Sequence, residues 1–413
     1  MADTGRKIST ILSITIIITA FTFFTVYALS NSVTQSMQVF TWTNSTVDSA
    51  GDVGEYTSLA VDNSNGIHIS YYDSTNHNLK YAFKSDGGTW ASNIVDSPGK
   101  GGWTTSIAVD SSGGVHISYC DCINSTIGHL RYAYKSYGGL WTFDTVDNAG
   151  QTGWYSSIAL DKFGGVHISY YDFTNKDLKC AYKPAKGSWI ANTVDASGDV
   201  GAFTSIAIDD SNDTHISYSD YTNEQLKYAY KPNGGMWTTE KVEGISSAYS
   251  SIAVDSNNSV HISYYDWTNH DLKYAYKNKG SIGWSNTTID SSGNVGSQSS
   301  IALDANKGVY ISYYSSTDTL VKCAYKAYIG SWFIDVVDNP TGGVGYYTSI
   351  KVDKSGSIHI SYYDYTNHDL KYATAHNPAF PEYQLSAITV FCFVIVVAIL
   401  IKKKKMQKSI GQR

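Results

Sequence analysis

Short runs in which apolar and polar residues alternate recur through residues 42–373 and predict β-strands. A typical copy contains S-I-A-V-D, then H-I-S-Y-Y-D, L-K-Y-A-Y-K and W-x-x-x-x-V-D. Alternation with a period of two is typical of half-buried strands, and turn formers such as Asp-Ser-Ser-Gly-Gly separate the runs. Because the spacers are short, neighbouring runs form antiparallel pairs, so each copy predicts a four-stranded meander.

The meander is repeated seven times. One tryptophan marks each copy: Trp42, Trp90, Trp141, Trp189, Trp237, Trp284 and Trp332. Four strands in roughly 40 to 50 residues are typical of a β-propeller blade. The last copy ends at Ala373 without a fourth strand, whereas an unmatched run, residues 42–48, precedes the first copy. We therefore predict an all-β, seven-bladed propeller over residues 39–376, with four-stranded antiparallel blades and with residues 42–48 completing the last blade.

Both ends of the chain are apolar and predict membrane segments. Residues 8–29 follow Arg6 and Lys7, and residues 385–401 precede four lysines. The positive-inside rule then places both termini in the cytoplasm and the propeller outside the cell membrane. The predicted organisation is a signal peptide or signal anchor (1–30), a spacer (31–38), the propeller (39–376), a second spacer (377–384), a transmembrane helix (385–401) and a basic cytoplasmic tail (402–413). The sequence leaves open whether the first segment is cleaved.

Composition narrows the function. The net charge is −6 and arginine occurs only three times, which argues against a nucleic-acid partner. No C-x-x-C pair or Cys/His cluster predicts a zinc site, and we expect no cofactor. The histidine of H-I-S-Y-Y-D occurs once per blade, so these rings lie too far apart to share a metal. Five N-glycosylation sequons fit an exported glycoprotein: Asn44, Asn124, Asn212, Asn257 and Asn286.

One face of the ring has a definite chemistry. With strands A to D in chain order, the ends of strands B and D share a face, here called the top, and both chain ends leave from the opposite face, the bottom. We therefore expect the bottom to face the membrane. Aromatic residues just before strand A are predicted to surround the channel mouth: Tyr56, Trp103, Tyr155, Phe203, Tyr249 and Tyr347, with Gln298 in the remaining copy. The B–C loops add Phe173, Tyr221, Trp267 and Tyr365.

Carboxylates accompany these aromatics. Strands B and D end in 13 acidic residues around the same rim, and Asp73, Asp172, Asp266 and Asp364 are the candidate ligand contacts among those of strand B. Aromatic faces beside carboxylates are a common means of holding sugars or extended peptides. Two alternatives remain. The lysines that open strand C could pair with the strand B aspartates, and aspartate also favours turn entry. Weak Ca²⁺ binding by the acidic rim is a further possibility.

The repeat D-x-x-G-x-x-H-I-S-Y-Y-D-x-T-N-x-D-L-K-Y-A-Y-K resembles that of β-propeller proteins on microbial, especially archaeal, cell surfaces. The resemblance covers residues 40–375 and implies a fold and a location but no ligand. The tail, Pro381-Glu382-Tyr383 followed by an apolar run and lysines, is loosely similar to sorting signals processed by archaeosortases. It departs from them at the third residue, which is usually Phe, and in carrying Lys rather than Arg after the run.

These features favour a binding or adhesion module that recognises a glycan or a surface protein through the top face. An exported glycoside hydrolase is the main alternative. Sialidases clamp a carboxylate with several arginines, whereas the propeller contains one, Arg131. No copy departs from the repeat to provide a distinctive acid/base pair, so we predict no enzymatic activity. A purely structural surface-coat protein is the third possibility.

Overall fold

The computed structural model describes residues 40–97, 101–124, 127–328, 330–340 and 342–376. All the strands described lie within residues 43–376. The terminal segments that we predict to be membrane-bound lie outside the described residues. Within the described residues, no helix has the length and apolar character needed to cross a bilayer.

Twenty-eight strands form seven antiparallel sheets of four. Blades 1 and 2 consist of β2 (Val53–Val61), β3 (Ile67–Asp73), β4 (Asn78–Lys84) and β5 (Ala91–Asp96), and of β6 (Trp103–Val109), β7 (Val115–Asn124), β8 (Ile127–Lys135) and β9 (Trp141–Asp147). Blade 3 consists of β10 (Trp154–Leu160), β11 (Val166–Asp172), β12 (Asp177–Lys183) and β13 (Ile190–Asp195). Blade 4 consists of β14 (Val200–Ile208), β15 (Thr214–Asp220), β16 (Gln225–Lys231) and β17 (Thr238–Glu243).

The other three blades follow the same order of strands A to D. They are blade 5, β18 (Ser247–Val254), β19 (Val260–Asp266), β20 (Asp271–Lys277) and β21 (Ser285–Asp290); blade 6, β22 (Val295–Leu303), β23 (Val309–Ser315), β24 (Leu320–Lys326) and β25 (Phe333–Asp338); and blade 7, β26 (Tyr346–Val352), β27 (Ser357–Asp364), β28 (Asp369–His376) and β1 (Thr43–Asp48). The predicted seven-bladed propeller is thereby confirmed.

Blade 7 is built from both ends of the ring. Strand β1 pairs antiparallel with β28, and Thr43 is the register partner of Thr374. The strand missing from the last repeat is therefore supplied by the first strand of the chain. This pairing covers the edge that β28 would otherwise expose, and it brings the two ends of the ring together at the bottom.

Strand A is innermost in every blade, and adjacent A strands contact one another around the ring. At every seam a strand A backbone N–H donates to a serine of the preceding blade, as Ile107 N does to Ser58 Oγ at 3.2 Å. Apolar clusters fill the spaces between blades; one joins Leu59 and Ile69 of blade 1 to Leu370 of blade 7. Six such clusters, each between two adjacent blades, form the core, rather than one central mass.

Candidate binding face

A bulge in strand A shapes the mouth of the channel. In each blade one residue has a positive φ, between 48° and 56°, where the register of strand A shifts against strand B. Residues other than glycine rarely adopt this left-handed backbone conformation. A bulge also turns the side chain away from its usual direction on the strand. We call these seven residues the mouth ring: Tyr56, Thr104, Tyr155, Phe203, Tyr249, Gln298 and Tyr347.

A glycine two residues before the bulge allows the blades to approach closely here. Gly201 has a φ of 107°, and a Cβ on it would lie 2.7 Å from Cα of Leu178 in blade 3. Only glycine fits both the conformation and the contact. The start of strand A is therefore held against the neighbouring blade, which fixes the position of the mouth ring residue that follows.

The aromatic members of the mouth ring contact one another across the blades. Ring centroids are 4.3 Å apart for Tyr56 and Tyr347, 4.3 Å for Tyr155 and Phe203, and 4.4 Å for Phe203 and Tyr249. Gln298 joins the ring by accepting the backbone N–H of Tyr347 on its side-chain oxygen. Together they surround a cavity of about 200 Å³. The predicted aromatic mouth is present for five of its six residues.

Trp103 is the exception. Ser106 and Ile107 align with Ser58 and Leu59 in their pairing with strand B, so Thr104 is the mouth ring residue of blade 2 and Trp103 precedes it. The prediction that Trp103 belongs to the ring was wrong by one residue, because it aligned the copies on their aromatics rather than on the bulge. Trp103 still lies beside the ring, 6.0 Å from Tyr56 between ring centroids.

The position before the mouth ring breaks the sevenfold repeat. We call it the collar: Glu55, Trp103, Trp154, Ala202, Ala248, Ser297 and Tyr346. The large or charged members belong to four adjacent blades, 7, 1, 2 and 3, whereas blades 4 to 6 carry alanine or serine. The mouth therefore has a crowded half with one carboxylate between aromatic neighbours, and an open half.

Glu55 is half-buried at this collar. Burial raises the pKa of its carboxyl, Asp52 raises it further, and His368 opposes the change. Within the described residues its carboxylate makes neither a hydrogen bond nor an ion pair. It differs in this from the carboxylates at the ends of strands B and D. Nothing in the repeat pattern singled it out, because the collar position carries five residue types in seven copies.

A second set of aromatics extends the mouth outward. Phe173, Tyr221, Trp267 and Tyr365 of the B–C loops are 44% to 51% exposed. Trp267 stacks on Tyr249 of the mouth ring at 6.5 Å, and Tyr365 meets Tyr346 of the collar edge-on at 5.8 Å. The top face thus presents a continuous aromatic surface from the channel mouth to the loops of several blades.

The strand D carboxylates, in contrast, bind neighbouring blades. Each accepts a hydrogen bond from the tyrosine hydroxyl of strand B in the next blade. In four seams it also accepts a hydrogen bond from the strand C lysine of that blade, as Asp147 does from Lys179 at 2.5 Å. We call these contacts the seam latches; the tyrosine pairs are Tyr71–Asp48, Tyr119–Asp96, Tyr170–Asp147, Tyr218–Asp195, Tyr264–Glu243, Tyr313–Asp290 and Tyr362–Asp338.

The latches change the acidity of these carboxyls. Burial alone would raise the pKa of Asp195, but hydrogen bonds from Lys227, Ser197 and Tyr218 outweigh it and lower the pKa to about 2. The pKa values of Asp48, Asp147 and Asp290 are lowered by the same balance. These carboxylates are therefore ionised and already bound within the fold.

The strand B carboxylates are also committed. Asp73, Asp172, Asp266 and Asp364 are at most 2% exposed and accept backbone N–H groups of the turn that follows them. The structure corrects their prediction as ligand contacts, since they cap turns beneath the surface. In blades 3, 4 and 5 the strand C lysine approaches the strand B aspartate only at 3.7 to 3.9 Å, because its shorter contact is to the preceding blade.

The repeated histidines are buried structural groups. Nδ1 of His68 lies 2.7 Å from the hydroxyl of Tyr81, and Nε2 lies 3.1 Å from Asp62 of the A–B turn. Burial lowers the pKa of these histidines, for His261 to about 4. The described residues contain no group of three His, Cys, Asp or Glu that could hold a metal ion.

The cysteines divide into two kinds. Cys180 and Cys323 are buried free thiols at the strand C position where the other blades carry tyrosine. Cys120 is disulfide-bonded. Its partner lies outside the residues whose side chains are described.

Comparisons with known proteins find similarity only in structure. No protein-family model and no curated protein sequence matches the chain. An ulvan lyase of polysaccharide lyase family PL25 matches with a TM-score of 0.55 and 10% identity, covering 79% of this chain and 95% of that one. The same kind of lyase bound to -[GlcA(1-4)Rha3S]- matches with a TM-score of 0.52 and 10% identity, covering 76% and 90%.

A triple arginine mutant of AofleA from Arthrobotrys oligospora also matches, with a TM-score of 0.51 and 12% identity over 73% of this chain and 91% of that one. Identities this low show a shared fold and nothing finer. The chain is thus an all-β, seven-bladed propeller, similar in fold to polysaccharide lyases and to AofleA.

Proposed function

We propose that the chain is a membrane-anchored extracellular module that binds glycans through the top face of its propeller. The observation that carries the proposal is the continuous aromatic surface formed by the mouth ring, the collar and the exposed B–C loop aromatics. Aromatic side chains left about half exposed on one face are typical of a recognition surface. The other repeated polar groups are already bound within the seam latches and turn caps, so this surface is the part of the top face that remains available to a ligand.

Glycan is the ligand class that this surface fits best. Sugar rings stack on aromatic faces, while polar groups such as Gln298, Asp52 and Glu55 can fix hydroxyls. An ulvan lyase of the same fold is bound to a glucuronate–rhamnose sulfate chain, which is consistent with a propeller accommodating a polysaccharide. A surface protein is the competing ligand, and it would use the same aromatics without needing a sugar.

Catalysis is the second candidate, and Glu55 is the observation that favours it. Glycoside hydrolysis usually needs two carboxylates in unlike environments. Asp52 accepts a hydrogen bond from Tyr363 at 2.7 Å, whereas Glu55 is unpaired within the described residues and its pKa is raised. We propose binding instead, since the arginine clamps of sialidases have no counterpart at this mouth within the described residues. Release of reducing ends from a bound polysaccharide, lost in Glu55→Gln, would establish the enzymatic alternative.

The proposal is tested by measuring retention of the full-length chain on a glycan array. We expect Trp267→Ala to reduce retention at least tenfold, equivalent to about 1.4 kcal/mol, because it removes a stacking face without touching a seam. Tyr137→Ala is the matched control: it removes an exposed aromatic from the bottom and should leave retention unchanged. Absence of retention on every glycan, with capture of a surface protein that Trp267→Ala abolishes, would replace glycan by protein as the ligand.

A further inference from the structure

The most exposed apolar side chains of the described residues lie on the bottom face. The five highest exposures, 69% to 99%, belong to the A–B and C–D turns: Tyr137, Leu140, Phe163, Met236 and Ile282. Tyr328 of blade 6, 55% exposed, occupies a fifth such turn, since Tyr137 and Leu140 share one. Turn tips are normally polar, since turns consist mainly of Gly, Pro, Asn, Asp and Ser. Large apolar residues at several tips of one face therefore indicate a surface that is covered in use.

These tips are confined to part of the ring. They belong to blades 2 to 6, whereas the corresponding turns of blades 7 and 1 carry Lys354, Ser355 and Asp86. Blade 7 is where both ends of the ring leave the bottom, next to Thr43 and Thr374. Each end is joined by a spacer of eight residues in our sequence prediction to an apolar segment. The apolar tips thus lie on the part of the bottom that the tethers do not hold.

Exposed lysines accompany the tips. Lys162 is next to Phe163, Lys279 is in the turn of Ile282, and Lys186 is in the C–D turn of blade 3. Apolar side chains that enter the lipid interface, with lysines at the level of the headgroups, are typical of proteins that lie on a membrane surface. The lysines and the apolar turn tips of the bottom face therefore both indicate a membrane surface as the partner.

We propose that the bottom face docks on the lipid bilayer, with the turn tips of blades 2 to 6 entering the interface opposite the tethered blade 7. The ring then lies flat on the membrane and holds its mouth outward. This inference rests on the anchoring in the proposed function, but it assigns a contact that anchoring alone does not require, because a tethered ring could equally stand free of the bilayer.

The test uses the full-length chain reconstituted in vesicles of phosphatidylcholine and phosphatidylglycerol. A bilayer-sensitive fluorophore is placed at Met236→Cys or Ile282→Cys, and at Tyr221→Cys on the top as the matched control. Cys180 and Cys323 are buried, which limits background labelling. Lipids brominated on their acyl chains should quench both bottom labels at least twofold and leave the top label unchanged.

Three outcomes separate the claims. Equal quenching at top and bottom in chain that floats with the vesicles overturns the docking and leaves anchoring intact. Chain that does not float overturns docking and anchoring together, while glycan retention can still support binding. Leu140→Glu combined with Phe163→Glu should keep the chain on the vesicles yet reduce quenching at Ile282→Cys; unchanged quenching in that variant would contradict the part assigned to the tips.

Discussion

The seams and the mouth of this propeller are built from the same seven repeats, but they differ in how strictly equivalent positions carry the same residue type. At the seams the tyrosine of strand B donates to a carboxylate of the preceding blade in all seven copies. At the collar the seven copies carry five different residue types, from Glu55 to Ala202. The residues that close the ring are therefore the repeated ones, whereas the residues that vary lie on the surface that we propose binds a ligand.

The largest effect should follow from opening the ring. Deleting residues 43–48 removes β1 from blade 7, exposes the edge of β28 and leaves Tyr71 and Lys80 without Asp48. We expect the full-length deletion variant to lose its cooperative thermal transition and to aggregate, as measured by circular dichroism and size-exclusion chromatography. Thr46→Ala, on the exposed side of the same strand, is the control. A folded, monodisperse deletion variant would contradict the role given to β1.

Breaking one latch should cost less than opening the ring. Asp147→Ala leaves Lys179 without its 2.5 Å partner and should lower the free energy of unfolding by roughly 3 kcal/mol. Tyr170→Phe, which keeps that ion pair and removes only the hydroxyl, should cost about 1 kcal/mol. Chemical denaturation measures both. If the two variants lose equal free energy of unfolding, the ion pair does not stabilise the seam.

Acid should weaken several latches together. Because the pKa of Asp195 is lowered to about 2 in the fold, its contribution is complete above the unfolded pKa and is lost as pH falls from about 4 through about 2. That single group accounts for about 2 kcal/mol at neutral pH. As the pH falls through this range, the melting temperature should decrease less steeply in Asp195→Asn than in the unmodified chain. Parallel curves would show that Asp195 is not linked to acid unfolding.

At the mouth we expect a change in binding with little change in stability. Glu55→Gln removes the carboxylate of the collar and should alter glycan affinity by roughly tenfold, or 1.4 kcal/mol, with an unchanged melting temperature. Glu224→Gln is the matched control, since Glu224 is exposed on the same face in the open half. Equal effects of the two substitutions would remove the distinction between the two halves of the mouth.

The smallest effect comes from restoring a repeat residue at a seam. In blade 3 the tyrosine that pairs with the histidine is replaced by Cys180, and Trp237 lacks the edge-on tyrosine that Trp284 has in Tyr228. Cys180→Tyr should add the hydrogen bond to His167 and raise the free energy of unfolding by about 1 kcal/mol. Cys180→Ala is the control and should lower it. A destabilised tyrosine variant would show that this seam is narrower than the others.

The sequence determined most of the fold because every local signal was repeated seven times. Strand count, strand order and the pairing of residues 42–48 with the last blade all followed from where the copies begin and end. The site was harder to predict. The partner of a strand D carboxylate, such as Asp147, belongs to the next blade, so it depends on ring geometry that no single repeat contains.

The offset at Trp103 has a different origin. The bulged position itself carries no fixed residue type, because Tyr56, Thr104 and Gln298 all adopt it. The glycine two residues earlier, present in six of the seven copies, is the signal that marks it. Loop lengths before strand A also vary, so aromatic residues in the sequence do not mark equivalent positions. Aligning the copies on that glycine gives the same register as the pairing of strand A with strand B.

The pairing of Thr43 with Thr374 also decides how the ring responds to mechanical load. Both chain ends leave the same end of one antiparallel strand pair, so tension that separates them unzips β1 from β28 one hydrogen bond at a time, a geometry with low resistance. When the ends are held side by side, a pull on the mouth loads both strands in the same direction, so no force separates β1 from β28. Holding the two ends of the ring close together therefore protects the pairing of β1 with β28.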